Sequence, residues 1–329
     1  MRGNMPDRPA EEHTHVPPAL ERFPLSTKLF LIVAGVLWGT GGLTGALLQD
    51  LAGLHPLAVA AYRLLIGGTI ATVALVGQIR RLKLTKAVIR RLLAAGGLLA
   101  IFQASYFGGV AMTSVSLATL VTIGSSPVLL AVFTAIRARR LPSARTSLCI
   151  VAALAGLALL AGTPSTRDTG STVLGILMCL TAASGFATFT VINRRPVLPP
   201  GPTISLGLLL GGLFLLPIAL PLGMTLPMQP NVLLTVTFLG IVPTAVAYGL
   251  YLAALRGVNA VAAALAAVLE PLTATVLSVL FFDESLGTTG LIGALMLGVA
   301  LVINYSAESG SAEGEPELPA GKPGAGVST

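Results

Sequence analysis

Charged side chains are scarce in this sequence. Of its 329 residues only 10% are Asp, Glu, Lys or Arg, whereas soluble globular domains carry about 25%. Hydrophobic residues make up 54% of the chain, and they fall in runs of about 20 residues, the length of a helix that crosses a bilayer. A soluble helical bundle is excluded by the same scarcity, because its helices need charged outer faces. The composition therefore predicts an integral membrane protein.

Side chains for metal, disulfide or catalytic chemistry are also few. The two cysteines, Cys149 and Cys179, lie inside apolar runs, which indicates small buried side chains rather than a disulfide framework. Of the three histidines, His13 and His15 lie in a polar tail and His55 lies in a loop. The GxxxxGK[ST], HExxH and GxSxG motifs do not occur. We therefore expect no enzymatic activity, no cofactor and no metal site.

Ten apolar runs predict an all-α integral membrane fold. The polar, Pro- and Glu-rich segments 1–24 and 307–329 cannot bury enough apolar surface to fold alone and are predicted to be disordered tails. Residues 25–163 and 171–306 are predicted to form two repeats of five helices each. The ten predicted spans are 26–48, 56–77, 92–112, 117–137, 147–162, 172–192, 203–223, 231–254, 260–281 and 286–304.

Basic residues cluster in alternate loops and account for the net charge of +7. Because they lie between apolar runs, we expect contact with the lipid surface and no nucleic-acid partner. The opposite loops hold only Arg167. Basic residues resist translocation, so we predict that the clusters and both termini lie in the cytoplasm of a bacterial inner membrane. The clustered residues are Arg80, Arg81, Lys83, Lys86, Arg90, Arg91, Arg137, Arg139, Arg140, Arg145, Arg194, Arg195 and Arg256.

The two halves of the chain show a faint internal repeat. Laying residues 117–140 over 261–284 aligns Pro127 with Pro271 in matching apolar frames. Five helices per half, an odd number, place the second half upside down in the membrane relative to the first. Inverted repeats of this kind can exchange inward-open and outward-open shapes around a central site, although a channel or an intramembrane enzyme is still compatible with them.

Two ionisable side chains, Arg63 and Glu270, fall well within the predicted spans. Each costs about 2.5 to 3.5 kcal/mol to insert and should therefore face a partner or water. Glu270 lies about 15 Å into its span, near the midplane. It either binds a cationic group or exchanges a proton, or else it has a structural role, in an ion pair with Arg63 or a hydrogen bond to a neighbouring Thr or Ser. For Arg63 we expect a structural role, tying helices together or reaching the interface. Pro271 beside Glu270 is expected to kink the helix.

Polar and aromatic side chains in other spans are further candidates. Gln103, Tyr106, Tyr248 and Tyr251 lie in the third and eighth spans, where they line a cavity or anchor the membrane interface. Trp38, mid-span in the first helix, either lines a cavity or packs against its neighbours.

Several short motifs resemble the drug/metabolite transporter superfamily of the EamA type. They are Trp38-Gly39-Thr40, Arg63, Ser126-Pro127, Glu270-Pro271 and Asp283-Glu284-Ser285. The resemblance spans roughly residues 28–304. It implies a fold of two five-helix halves and export of metabolites or drugs, often against a proton gradient. It also adds Ser126 to the candidate binding residues and Pro127 to the structural or gating candidates, beside Arg63 and Pro271.

These observations favour a secondary active transporter that exports a small metabolite, amino acid or drug by proton-coupled alternating access. The expected partners are the small-molecule substrate, protons as the coupling ion, and membrane lipid. A passive facilitator or channel is one alternative. A membrane protein that acts on lipid substrates without transport is the other. Neither the substrate nor the oligomeric state follows from the sequence.

Overall fold

The computed structural model describes residues 25–113, 115–161, 169–195, 197–282 and 287–307. Within these ranges every regular element is a helix. The predicted N-terminal tail, nearly all of the predicted C-terminal tail, Arg167 and the Asp283-Glu284-Ser285 motif lie outside the described residues, and the expectations for them stay predictions.

Ten apolar helices make up most of the described chain. By length and composition eight of them are able to cross a membrane, while α5 and α10 contain shorter apolar stretches. The predicted all-helical membrane fold is confirmed. The helices are α1 (Leu25–Ala52), α2 (Pro56–Ala74), α3 (Lys86–Met112), α4 (Val115–Ala138), α5 (Ala144–Ala161), α6 (Thr169–Arg194), α7 (Pro200–Ala219), α8 (Pro230–Ala254), α9 (Ala260–Ala266 and Leu269–Phe282) and α10 (Thr288–Ala307).

Helix α3 starts earlier than its hydropathy predicts. It begins at Lys86 rather than near residue 92, and Thr85 caps it by accepting a hydrogen bond from the Val88 amide at 3.3 Å. Arg90 and Arg91 therefore lie in helical turns and not in a loop. The apolar pattern begins only after these turns, because their charged side chains belong at the membrane surface. The helix itself extends past that surface.

The contacts between helices recur when each helix is replaced by the helix five positions earlier or later in the chain. Helix α2 packs against α7, and α5 packs against α10. Helix α3 packs against α6, and in the equivalent contact α8 packs against α1. In the same way α4 packs against α6, and α9 packs against α1. Two repeated halves related by a two-fold axis would produce this pattern of contacts.

Helix α9 is interrupted near its middle. Ala267 and Val268 form a turn between its two pieces. Pro271 has no N–H to donate to the Ala267 carbonyl four residues earlier, and that carbonyl accepts instead from the Glu270 amide at 3.0 Å. The expected irregularity is therefore present just before Pro271, whereas Pro127 lies inside the uninterrupted helix α4.

Helix α8 contains one wider turn over Ile241–Val246, in the π conformation. Within it the Thr244 hydroxyl donates to the Leu239 carbonyl, five residues earlier, at 2.7 Å. Turns of this type are frequent at functional sites, because they leave backbone and side-chain groups free for other partners. Both irregular helices belong to the second half of the chain.

Candidate functional site

A cavity lies between the two halves, at the level of the interruption in α9. It offers about 40 Å³ for the centres of water molecules, which is room for a few waters and well below the roughly 300 to 1,000 Å³ of a typical ligand pocket. Its walls come from α1 to α4 in the first half and from α6, α8 and α9 in the second. The lining residues are Trp38, Arg63, Phe102, Gln103, Tyr106, Thr122, Ile123, Ser126, Phe186, Tyr248, Ala267 and Glu270.

Glu270 lies in the first turn of the second piece of α9, half-buried on the cavity wall. Among the described residues none donates a hydrogen bond to its carboxylate, and none forms an ion pair with it. Its backbone is held by α1, since a Cβ atom added to Gly39 would lie only 2.8 Å from the Glu270 carbonyl oxygen. The backbone of Glu270 is thus held in place, while its carboxylate has no described partner.

Arg63 reaches the cavity from α2 and is also tied to α8. Its Nε atom donates to the Thr244 hydroxyl at 3.1 Å, which links the first half to the wider turn of the second. The two terminal nitrogens of the guanidinium bond to no other described residue. Arg63 therefore combines the structural role expected for it with a free, positively charged face on the cavity.

The ion pair between Arg63 and Glu270, considered as the structural alternative for Glu270, is absent from the described part of the structure. Both side chains line the same cavity, yet no pair of their charged atoms lies within 4.0 Å. A buried charge is normally offset by a partner, and neither group finds that partner in the other.

Trp38 is 6% exposed and forms the centre of an aromatic cluster. Its ring centroid lies 5.1 Å from those of Tyr248 and Tyr251 and 6.0 Å from that of Phe186. The indole Nε1 is buried without a hydrogen-bond partner in the described structure. Cavity lining and close packing, the two roles considered for Trp38, therefore occur together.

Two other polar side chains on the cavity wall, Gln103 and Tyr248, have no described hydrogen-bond partner, but unlike the indole nitrogen their polar atoms are not fully enclosed and can bond to water in the cavity. Each of the two residues as a whole is 2% exposed. Tyr106 differs, because its hydroxyl pairs with Thr119 Oγ1 at 2.8 Å. Ser126 donates to the Thr122 carbonyl at 2.9 Å.

The structure brings most of the candidate residues to this one cavity, and it places Tyr251 behind the wall. Tyr251 is fully buried, its hydroxyl pairs with Thr190 Oγ1 at 2.8 Å, and its ring supports Trp38. Pro127 and Pro271 adjoin the lining residues Ser126 and Glu270 without lining the cavity themselves.

Five of the lining residues were not predicted from the sequence. Thr122 lies one helical turn before Ser126, so helical spacing could have found it. Aromatic and aliphatic side chains in apolar runs carry no comparable signal, since they look alike whether they face lipid, core or cavity. The missed residues are Phe102, Thr122, Ile123, Phe186 and Ala267.

Comparison with known proteins gives consistent matches over most of the chain. Residues 25–162 and 173–306 each match the EamA-like transporter family. An uncharacterized transporter of Bacillus subtilis (strain 168), YwfM, is 31% identical over 277 residues, which cover 84% of this chain and 92% of that protein. An uncharacterized transporter of Clostridium kluyveri is 26% identical over 299 residues, with the same shares covered.

A solved structure with low sequence identity to this chain has the same fold. A crystal structure of a protein with 18% sequence identity superposes with a TM-score of 0.73, covering 86% of this chain and 98% of the other. At this level of identity the superposition shows the shared helical architecture.

Proposed function

This chain belongs to the EamA-like transporter family, and on that premise we propose that it exports a small molecule across a bacterial cell membrane by proton-coupled alternating access. It is a multi-pass membrane protein with bacterial relatives. In this proposal the cavity between the halves is the substrate site, and the Glu270 carboxylate is the group that exchanges protons.

The observation that carries the proposal is the unpartnered carboxylate of Glu270. An ionised carboxyl at this depth costs several kcal/mol unless it is paired. A proton or the cationic part of a substrate removes that cost, and the two compete for the same oxygens. Competition of this kind couples the movement of one to the movement of the other.

The arrangement of the helices supports alternating access. The cavity lies between two repeats of opposite orientation, and rocking of one repeat against the other exposes such a site to each side in turn. The present volume of about 40 Å³ has room for only a few water molecules, so the cavity must widen to admit a substrate. The interruption of α9 beside Glu270 and the wider turn in α8 supply places where backbone angles can change.

In this proposal the direction of transport follows from the proton gradient and from the exchange of protons for substrate at Glu270. Protons that enter from outside displace substrate that was loaded inside, whichever side the termini face. The basic residues Arg139 and Arg140 follow α4 on the side assigned to the cytoplasm.

The first experiment is a protection screen in a bacterial strain that expresses the full chain. Canavanine, norleucine and ethidium serve as toxic probes, and growth is compared for the native chain, Glu270→Gln and Asp50→Asn. Asp50 is a matched control because it is exposed at the end of α1. Among the described residues, Asp50 and Glu270 are the two that carry an acidic side chain. We expect protection by the native chain and Asp50→Asn and its loss in Glu270→Gln.

Purified protein in liposomes then tests the coupling. A probe that gave protection is loaded as a radiolabelled solute, a pH gradient is imposed, and solute flux is followed with and without a protonophore. Gradient-driven accumulation that Glu270→Gln abolishes supports the proposal. Flux that only equilibrates the solute would identify a passive facilitator, and lipid turnover without flux would identify an enzyme. Full protection by Glu270→Gln would remove Glu270 from the mechanism.

A further inference from the structure

We propose that a groove on the exposed face of helix α3, separate from the central cavity, binds one anionic phospholipid. Lys86 and Arg90 hold the phosphate of the lipid, and Ile89, Leu93 and Ala94 lie against its acyl chains. The inference does not depend on the proposed transport function. It assigns a partner to a surface that neither the packing of the helices nor the central cavity uses.

The groove lies near the start of α3 and has a volume of about 560 Å³, within the roughly 300 to 1,000 Å³ of typical ligand pockets. Its lining residues all belong to this helix: Lys86, Ile89, Arg90, Leu93 and Ala94. On the same helix the lining of the central cavity begins at Phe102, about 12 Å further along the axis than Ala94. The groove and the cavity are therefore separate sites.

The two faces of α3 differ at this end of the helix. Val88 and Leu92 are each 6% exposed and pack in a buried cluster with Leu198. Ile89 and Leu93, each the next residue in the chain, are 45% and 47% exposed and line the groove. Exposed apolar surface rimmed by polar residues is typical of interaction sites for membranes or proteins.

The basic side chains of the groove are unpaired. Lys86 and Arg90 are exposed and lie one helical turn apart, about 6 Å along the axis. No described residue accepts a hydrogen bond from either side chain or forms an ion pair with it. Arg91 differs, because its guanidinium donates to the Ile192 carbonyl and, at 3.1 Å, to the Arg195 carbonyl, where it ties α3 to the end of α6. Lys86 and Arg90 are thus left for a partner from outside the protein.

Charge complementarity favours an anion. The acidic side chains of the described residues, Asp50 and Glu270, do not line the groove. Arg80, Arg81 and Lys83 are exposed in the segment just before α3 and add positive charge at the same end of the helix. Basic residues near a bilayer attract anionic headgroups. A zwitterionic headgroup would bring its own ammonium group into this positive field, so phosphatidylglycerol is favoured over phosphatidylethanolamine and phosphatidylcholine.

The order of residues along α3 favours a lipid over a free anion. The basic side chains lie nearest the start of the helix, and Leu93 and Ala94 follow, inside the apolar run that begins near residue 92. A Cβ atom added to Gly97 would meet no atom within 4 Å, and Ile101, one turn further, is 47% exposed, so open surface continues beyond the groove. A phosphate at the membrane surface with acyl chains directed inward matches this order, whereas free phosphate would use only the charged end.

Native mass spectrometry of the purified, detergent-solubilised full chain measures the affinity for the first bound lipid. Phosphatidylglycerol, phosphatidylethanolamine and phosphatidylcholine are compared, all with the same palmitoyl and oleoyl chains. We expect phosphatidylglycerol to bind at least about fivefold more tightly than either zwitterionic lipid, which is the gain from one basic residue near a bilayer surface. Equal affinities for the three lipids would overturn the proposal.

Paired charge variants test the location of the site. In Lys86→Gln/Arg90→Gln the affinity for phosphatidylglycerol should fall to that for phosphatidylcholine. The matched control is Arg137→Gln/Arg140→Gln, which removes two exposed charges at the end of α4 and should keep the native preference. An equal loss in both variants would mean diffuse attraction to the basic surface and would overturn the site. The helix dipole opposes cations at the start of α3, so the first variant should fold, which size-exclusion elution and thermal melting check.

A third variant and a competitor test the acyl-chain part of the groove. Ala94→Phe fills the groove without a change of charge and should weaken phosphatidylglycerol binding several-fold. Ala158→Phe, at an exposed position of α5, should leave it unchanged. Glycerol phosphate, which carries the phosphate without acyl chains, should not displace the lipid at equal concentration. Displacement by glycerol phosphate, or native affinity in Ala94→Phe, would show that the groove does not recognise a phospholipid.

Discussion

The Nε atom of Arg63 donates a hydrogen bond to the Thr244 hydroxyl across the interface between the two halves, at 3.1 Å. Thr244 in turn donates to the Leu239 carbonyl inside the wider turn of α8. One hydroxyl therefore orients the cavity's cation and shapes the helix that faces it. This relationship connects the electrostatics of the site to the geometry of the second half.

Replacement of Thr244 by Val should weaken the fold and slow transport. Arg63 would lose the acceptor that fixes it, and an unsatisfied buried donor costs about 1 to 3 kcal/mol. We expect a lower melting temperature of the detergent-solubilised chain and a lower rate of solute flux in liposomes. The control is Thr235→Val on the same helix, where the hydroxyl is exposed and bonds only to the Asn231 carbonyl. Equal effects of the two variants would contradict the assignment.

Gly39→Ala should impair transport because it fills the contact between α1 and α9. The added Cβ would lie 2.8 Å from the Glu270 carbonyl oxygen, a distance at which the backbone must shift. Overpacking of this kind typically costs about 1 to 3 kcal/mol, and it would displace Glu270. Gly42→Ala is the matched control on the same helix, since its added Cβ meets no atom within 4 Å. We expect flux in liposomes to fall several-fold in Gly39→Ala and to stay near the native rate in Gly42→Ala.

Pro271→Ala should make α9 more regular and transport slower. The new amide can donate to the Ala267 carbonyl, which now accepts from the Glu270 amide, so the interruption before Glu270 loses one of its causes. We expect unchanged or higher thermal stability together with a lower maximal flux. Pro217→Ala tests a proline inside helix α7, away from the cavity lining. A native rate in Pro271→Ala would show that the interruption serves no purpose in the cycle.

Accessibility labelling tests the predicted orientation. Cysteines introduced at Asp50 and Arg140 should react oppositely with a membrane-impermeant maleimide in intact cells, with labelling at position 50 and none at position 140. Both positions are exposed, and the native Cys149 and Cys179 are buried, so the background should be low. Labelling at position 140 alone would reverse the assigned orientation of the helices and of both termini.

Much of the candidate site was predictable where a charged or polar side chain lies within an apolar run. Glu270, Arg63 and Gln103 stand out in apolar runs, because lipid tolerates a charge or an amide only where something else satisfies it. Pro271 beside Glu270 predicted an irregular helix, and the missing proline N–H explains the interruption found there. The wider turn around Thr244 was not predicted, since Pro243 and Thr244 occur equally in regular membrane helices.

The sequence by itself determined the membrane class, the ten helices and their division into two repeats, because a bilayer requires long apolar segments whose backbone bonds close within each helix. Only the tertiary structure decided which side chains share the cavity. It placed Phe186 on the wall and Tyr251 behind it, and it kept Arg63 and Glu270 apart. Those outcomes depend on how each helix is rotated against its neighbours, and an apolar helix packed on several sides carries little periodicity from which that rotation could be predicted.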